Sequence, residues 1–252
     1  MYFWIKSIQL KIIAMIPARL DSIRLPGKLM MNLNGTPIIL HTLLNTIKTN
    51  LFDEVYVVTD SKEIYEFLIN HHKNILFSKK NHYSGSDRIA EFAKDMEVDI
   101  IVNVQGDEPL IDKNSLNKLI DTFKLDDKNK IDLVSLMKVI SNNKELENSN
   151  NVKVVTDIND FAIYFSRSPI PFNRESDLKV KYFKHIGVYG FRKRSLVDFY
   201  KSKPTKLELI EKLEQLRYLE NGKKIKMVIT DFDGISIDTM EDLIKARKLI
   251  ND

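Results

Sequence analysis

Three cations follow closely on an apolar run near the start of this chain. In "IIAMIPARLDSIRLPGK", residues 12–28, a strand-like segment passes into a loop that carries Arg19, Arg24 and Lys28. The loop has neither the GxxxxGK[ST] spacing of a P-loop nor the GxGxxG of a dinucleotide site, so the two common glycine-based phosphate cradles are excluded. Side chains can take their place, because a guanidinium offers phosphate a planar fork of permanently charged donors. Pro26-Gly27 would turn the loop toward such a ligand. A triphosphate suits three cations of this kind, and a solvated basic loop accounts for them equally well.

A second stretch, "NVQGDEPLI", ends an apolar run in Gln105, Gly106 and Asp107. A hard carboxylate oxygen at a strand end can hold Mg²⁺ that already bridges phosphate oxygens. Gly106 would permit the turn and leave room for the ligand. A single Mg²⁺ calls for another carboxylate, and Asp238 in "GISIDTMEDL" is the candidate, read as ending a late strand just before a helix; helix capping by Asp238 or Thr239 is its competing role. "HYSGSDRIAEFA" supplies Ser84, Gly85, Ser86 and Arg88, whose hydroxyls and amides at a helix start suit a nucleobase or phosphate. An N-cap at Ser86 is the simpler alternative. Farther on, Arg167, His185, Tyr189, Glu214, Gln215 and Arg217 form a mixture suited to a polyhydroxylated acid, Arg for a carboxylate and the rest for hydroxyls. Each also has a structural explanation: Tyr189 as core, Glu214 paired with Arg217 at i, i+3.

The elements that must position these residues alternate. Short β-branched runs ("KIIAMI", "EVYVVTD", "NILFS", "DIIVNV", "DLVSLMKV", "NVKVVTD") are separated by helical apolar spacing in "TPIILHTLLNTIKT", "SKEIYEFLINHH" and "SDRIAEFAKDM". This predicts an α/β fold with a doubly wound, mostly parallel sheet, whose ligand lies beyond the carboxyl ends of the strands. Loops 17–28, 59–61, 78–88 and 105–109 then meet at one edge. Residues from about 160 to 192 are strand-rich and read as an antiparallel extension or dimerisation arm. Gly222 is a candidate helix cap. The 252 residues are read as one domain, with residues 1–10 as a short extension.

Composition removes several alternatives. Cysteine is absent, which excludes disulfides, thiolate metal sites and thiol nucleophiles. The net charge of +4 lacks the concentrated excess of a duplex binder, so no nucleic-acid partner is expected. The apolar start is interrupted by Lys6 and Lys11, short of the roughly 20 residues a membrane span needs. A cytoplasmic protein without a membrane partner is expected.

The stretches "IPARLDSIRLPGK", "SGSDRIAE", "VNVQGDEPLI", "NVKVVTD", "FAIYFSRSPIPF", "KHIGVYGFR", "IEKLEQLRYLENGKKIKM" and "IDTMEDL" occur in an order and spacing that resembles the 3-deoxy-manno-octulosonate cytidylyltransferase (CMP-Kdo synthetase) family, from about residue 12 to 247. The resemblance implies a nucleotide-diphospho-sugar transferase fold, a homodimer, Mg²⁺, and the reaction of CTP with Kdo to give CMP-Kdo and pyrophosphate for lipopolysaccharide synthesis. It assigns Arg19 and Lys28, with Arg24, to the triphosphate and Asp107 and Asp238 to Mg²⁺. Gln105, Arg167, His185, Tyr189, Glu214 and Gln215 are assigned to the sugar. Two departures stand out: Tyr83 where many relatives have Gln, beside a nucleotide loop, and Met240 where they have Pro, a helix-start position that tolerates the change. Two other readings keep the same motifs: activation of an 8-amino or related sugar acid, and a catalytically silent binding homologue.

Overall fold

The computed structural model of the chain describes residues 10–22, 24–175, 177–233 and 236–251. The expected N-terminal extension lies, except for Leu10, outside the described residues. In chain order the elements are β1 (Ile12–Ala18), a 3-10 turn (Lys28–Met30), β2 (Asn32–Leu33), β3 (Thr36–Pro37), α1 (Ile38–Lys48), β4 (Glu54–Thr59), α2 (Lys62–Leu68), β5 (Ile75–Phe77), α3 (Gly85–Ala93), β6 (Ile100–Asn103) and α4 (Lys113–Lys124). There follow β7 (Leu133–Val139), α5 (Asn143–Glu147), β8 (Lys153–Thr156), β9 (Ala162–Ser166), β10 (Phe183–Arg192), α6 (Lys193–Lys201), α7 (Lys206–Glu211), α8 (Gln215–Glu220), β11 (Ile225–Ile229) and α9 (Met240–Asn251).

Among the described residues the main sheet has nine strands, seven of them in the order β11-β7-β10-β6-β1-β4-β5. The β1–β4, β1–β6, β4–β5 and β7–β11 pairs are parallel. All of β1 is buried, as its continuous apolar run predicts for a strand covered on both faces. Alternate residues feed two cores. Ile12, Ala14 and Ile16 join Leu43, Leu68 and Leu119, from α1, α2 and α4, while Ile13 and Met15 join Ala90, Leu196 and Leu216, from α3, α6 and α8. No helix among the described residues is long and apolar enough to cross a membrane.

The segment expected as an arm divides in two. β9 pairs antiparallel with β8, which lies before the expected segment, and both are off the main strand path. β10, however, is a central strand, antiparallel to β6 on one side and β7 on the other. Its Val188 and Phe191 enter opposite cores, which commits both faces of the strand to burial. The register of β10 shifts against β7 between Ile186 and Tyr189, and because β10 runs antiparallel to β6 and β7, its first half lies at the same sheet edge as the loops after β1 and β6.

Candidate active site

The loops after β1, β5 and β6 meet at that edge and line a cleft of about 590 Å³. Arg19, Arg24, Lys28, Ser84, Gly85, Arg88, Gln105, Gly106, Asp107 and Asp238 all contribute to it. With Glu214, eleven of the residues singled out from the sequence line this one cleft.

Lys28 owes its position to Gly27, whose φ of 67° starts the 3-10 turn in a left-handed conformation that other residues rarely adopt. The turn carries the lysine inward, where it is only 8% exposed. Burial opposes its charge, yet Asp107 and Asp238 outweigh that and raise its pKa. Its ammonium donates to Asp238 Oδ1 at 2.8 Å and to Asp107 Oδ2. Arg24 reaches the other oxygen of Asp238 at 2.8 Å. Two carboxylates from positions 131 residues apart thus share one ammonium, so their oxygens lie within about 6 Å of each other.

The loops bearing those acids are tied together. Ile237 N–H donates to the Asp107 carbonyl at 2.9 Å, and Thr42 Oγ1 donates to the Gly106 carbonyl at 2.9 Å. Gly106 is required by packing rather than by ligand space: a Cβ there would stand 2.9 Å from the Pro17 carbonyl oxygen and 3.2 Å from Ile39 Cδ1. Asp238 does not end a strand. β11 stops at Ile229, and the acid sits in the loop before α9. Capping falls to its neighbour, since Thr239 Oγ1 accepts from Asp242 N–H at 3.2 Å while Asp242 Oδ2 accepts from Thr239 N–H at 3.0 Å. That reciprocal cap leaves the Asp238 carboxylate for the cleft.

Arg19 is exposed and has no ion-pair partner among the described residues. Arg88 lines the cleft, but its guanidinium pairs with Asp60 after β4 and is only 5% exposed. Ser84, not Ser86, caps α3, accepting from Asp87 N–H at 3.2 Å because the helix begins at Gly85, two residues earlier than the alternative cap requires. Ser86 instead donates to Glu214 Oε1 at 2.7 Å. Tyr83 lies at the cleft wall and is 93% exposed.

A second cavity of about 470 Å³ adjoins the first across Glu108, Glu214 and Ser236, which line both. His185, Tyr189, Glu214 and Gln215, which the resemblance assigns to the sugar, line it. His185 packs between the Phe165 and Tyr189 rings and shares a 2.8 Å hydrogen bond with Ser135; burial pushes its pKa down to about 3, so its imidazole is neutral. Burial raises Glu214, whose Oε2 is buried without a hydrogen-bond partner. Tyr189 O–H donates to Gln215 Oε1 at 3.4 Å.

Three expectations need correction. Arg167 lines neither cavity, because its guanidinium is tied to the carbonyls of Glu211 at 2.8 Å and Ser149 at 3.0 Å. Arg217 pairs with Glu208 of α7, not with Glu214, since Glu214 turns toward Ser86. Gln105 lies in the first cleft alone. Glu108 was missed: burial, with Asp107 and Asp238 as like-charged neighbours, pushes it up to about 8 at the junction of the two cavities. An acidic residue before Pro109 gave only the signal of a turn.

Residues 13–225 match the family model described as Cytidylyltransferase. A 3-deoxy-manno-octulosonate cytidylyltransferase of Christiangramia forsetii is 54% identical over 241 residues, covering 96% of this chain and 97% of that protein. The enzyme of the same name from Flavobacterium johnsoniae is also 54% identical, over 96% of this chain and all of its own. Among solved structures, CMP:2-keto-3-deoxy-manno-octonic acid synthetase complexed with CTP superposes with a TM-score of 0.89 at 34% identity, covering 96% of this chain and 98% of that one. With the fold, the cleft and these likenesses in agreement, the chain belongs to the 3-deoxy-manno-octulosonate cytidylyltransferase family.

Proposed function

We propose that this chain transfers CMP from CTP to the anomeric oxygen of Kdo, releasing pyrophosphate, to supply the activated sugar acid for lipopolysaccharide synthesis. The observation that carries this is the convergence of Lys28, Arg24, Asp107 and Asp238 at the head of a nucleotide-sized cleft that opens into a second polar cavity. In the reaction a bond forms between the sugar's anomeric oxygen and the α-phosphorus while the bond to pyrophosphate breaks.

Arg19 and Arg24 would hold the triphosphate, and Lys28 would offset the charge that grows on the departing pyrophosphate. Ser84 and the Gly85 amide at the start of α3 suit the nucleoside, with Tyr83 free to lie against the base. His185, Tyr189 and Gln215 offer neutral hydrogen-bonding groups to the sugar hydroxyls, and fixed neutral partners of this kind orient a polyol without repelling its charge.

Asp107 and Asp238 fit Mg²⁺, because both carboxylates already face one point occupied by a cation. Mg²⁺ is commonly bound through one or two carboxylates together with substrate phosphates, and these two side chains would supply the carboxylates. When bound, such an ion supplies charge neutralisation at the phosphates and acidity to a hydroxyl it touches. A homodimer belongs to the same proposal, supported by exposed Ile163 on β9 and Leu209 and Ile210 on α7, together with exposed Phe172.

The test is pyrophosphate release by the purified protein with Mg²⁺ and Kdo, comparing CTP with UTP, ATP and GTP, and Kdo with its 8-amino analogue. CTP with Kdo should give the highest kcat/KM and a product with the mass of CMP-Kdo. No release with Kdo and any of the four nucleotides would refute the assignment.

A further inference from the structure

A sugar acid brings a carboxylate that calls for a cation, and Arg167 is committed elsewhere. Among the described residues the cations lining the second cavity are Lys184 and Lys212. Lys212 is exposed at the left-handed end of α7, where nothing fixes its direction. Lys184 is held. It lies on β10 directly opposite Lys138 of β7, and like charges directly opposed across an antiparallel pair are destabilising.

One group relieves that repulsion. Asp233, from the loop that follows β11, places Oδ1 3.0 Å from the Lys184 ammonium and Oδ2 2.6 Å from that of Lys138. The carboxylate is 62% exposed, whereas the Lys184 side chain is only 14% exposed. The lysines are therefore a built feature of the sheet, and the acid between them is a solvent-exposed partner of the same chemistry as the substrate's carboxylate. Asp233 and Lys184 both line the cavity that contains His185, Tyr189 and Gln215.

We propose that Lys184, supported by Lys138, is the specificity-determining cation for the sugar acid's carboxylate, and that Asp233 occupies this position in the free protein and yields it to substrate. The inference rests on the function proposed above. A carboxylate exchanged for a carboxylate conserves the charge between the lysines, so displacement leaves no uncompensated ammonium. A sugar with a neutral group at that carbon cannot make the exchange, because it would leave Asp233 in competition with a weaker ligand.

Steady-state kinetics on the full chain, with Mg²⁺, CTP and Kdo, test this. Lys184→Met should raise the KM for Kdo by about tenfold or more while the KM for CTP stays within about twofold, and Lys184→Arg should restore most of the loss. Asp233→Asn should lower the KM for Kdo, because a competing carboxylate is removed; a merely structural role for Asp233 would raise it or lower kcat. The discrimination of the wild type between Kdo and its carboxyl methyl ester should shrink in Lys184→Met. An unchanged KM for Kdo in Lys184→Met, or a raised one in Asp233→Asn, overturns the inference while wild-type turnover leaves the proposed function standing. Absence of turnover in the wild type overturns both.

Discussion

Lys28 neutralises Asp107 and Asp238 in the ligand-free protein, and Arg24 takes the remaining oxygen of Asp238. A triphosphate offers both cations a more highly charged partner, so nucleotide binding should draw them away and leave two carboxylates facing one point. Divalent cation and nucleotide would then bind with mutual reinforcement, each favouring the arrangement the other needs. Mn²⁺ titrations followed by electron paramagnetic resonance should show weak binding to the free protein and binding tighter by about tenfold or more with CTP present. Lys28→Met should strengthen Mn²⁺ binding in the absence of nucleotide while lowering turnover, a pairing that simple damage to the site would not produce. Equal Mn²⁺ affinity with and without CTP in the wild type would count against the exchange. Asp107→Asn belongs at the same scale: it keeps the shape and removes the charge, so kcat should fall by about 10²–10³ with the KM for CTP little changed. Comparable loss in both parameters would argue that Asp107 acts in ground-state binding.

At the end of the sheet opposite this cluster, Arg192 at the end of β10 is a buried polar tie between elements. It donates to the Ile131 carbonyl at 2.9 Å, pairs with Asp126 at 2.7 Å and lies over the Phe123 ring, so it joins β10 to the end of α4 and the start of β7. Both charged side chains are less than one-tenth exposed. Removing one partner leaves the other as an unpaired buried charge, and Arg192→Ala should destabilise the fold by about 3–5 kcal/mol in urea unfolding. A change under about 1 kcal/mol would mean that water reaches Asp126. The sequence made some of these elements plain and hid others. β1, β4 and β6 are apolar runs of strand length, and Gly222, with φ of 70°, closes α8 as its position suggested. The central place of β10 was hidden because Lys184, His185 and Tyr189 line a cavity at the sheet edge, and a strand whose first half borders an open cavity has the polar composition of a peripheral ribbon. Arg167 was misplaced for a related reason: an arginine at the end of β9 reads the same whether it faces a cavity or the helix end at Glu211. Arg217 found Glu208 nine residues away, a partner that helical spacing cannot indicate.

At the scale of the whole molecule, the sheet edge that gathers the cleft follows from alternation of strand and helix, which is why Lys28, Asp107 and Asp238 were legible together. Asp107 follows β6 closely, Lys28 opens the 3-10 turn beyond β1, and Asp238 lies in the loop before α9, and all three loops reach that edge. The electrostatic character of the second cavity was not legible, because it depends on burial. His185 shows this most clearly, and it makes acid stability a global readout of the site. Its folded pKa is depressed to about 3 from an ordinary value of 6.5, so between those limits the unfolded chain binds a proton that the folded chain does not. Stability therefore falls as pH drops through 6.5, by about 1.4 kcal/mol per pH unit once the unfolded imidazole is fully charged. Glu214, raised by burial, works in the opposite direction, but it does so in wild type and variant alike. Urea unfolding of wild type and His185→Gln at pH 7.5 and pH 5.0 should thus show the wild type losing about 2 kcal/mol relative to the variant. A wild-type advantage that does not change between the two pH values would place the histidine in contact with solvent or an unrecognised acid, and the neutral sugar-facing role assigned to its ring would have to be given up.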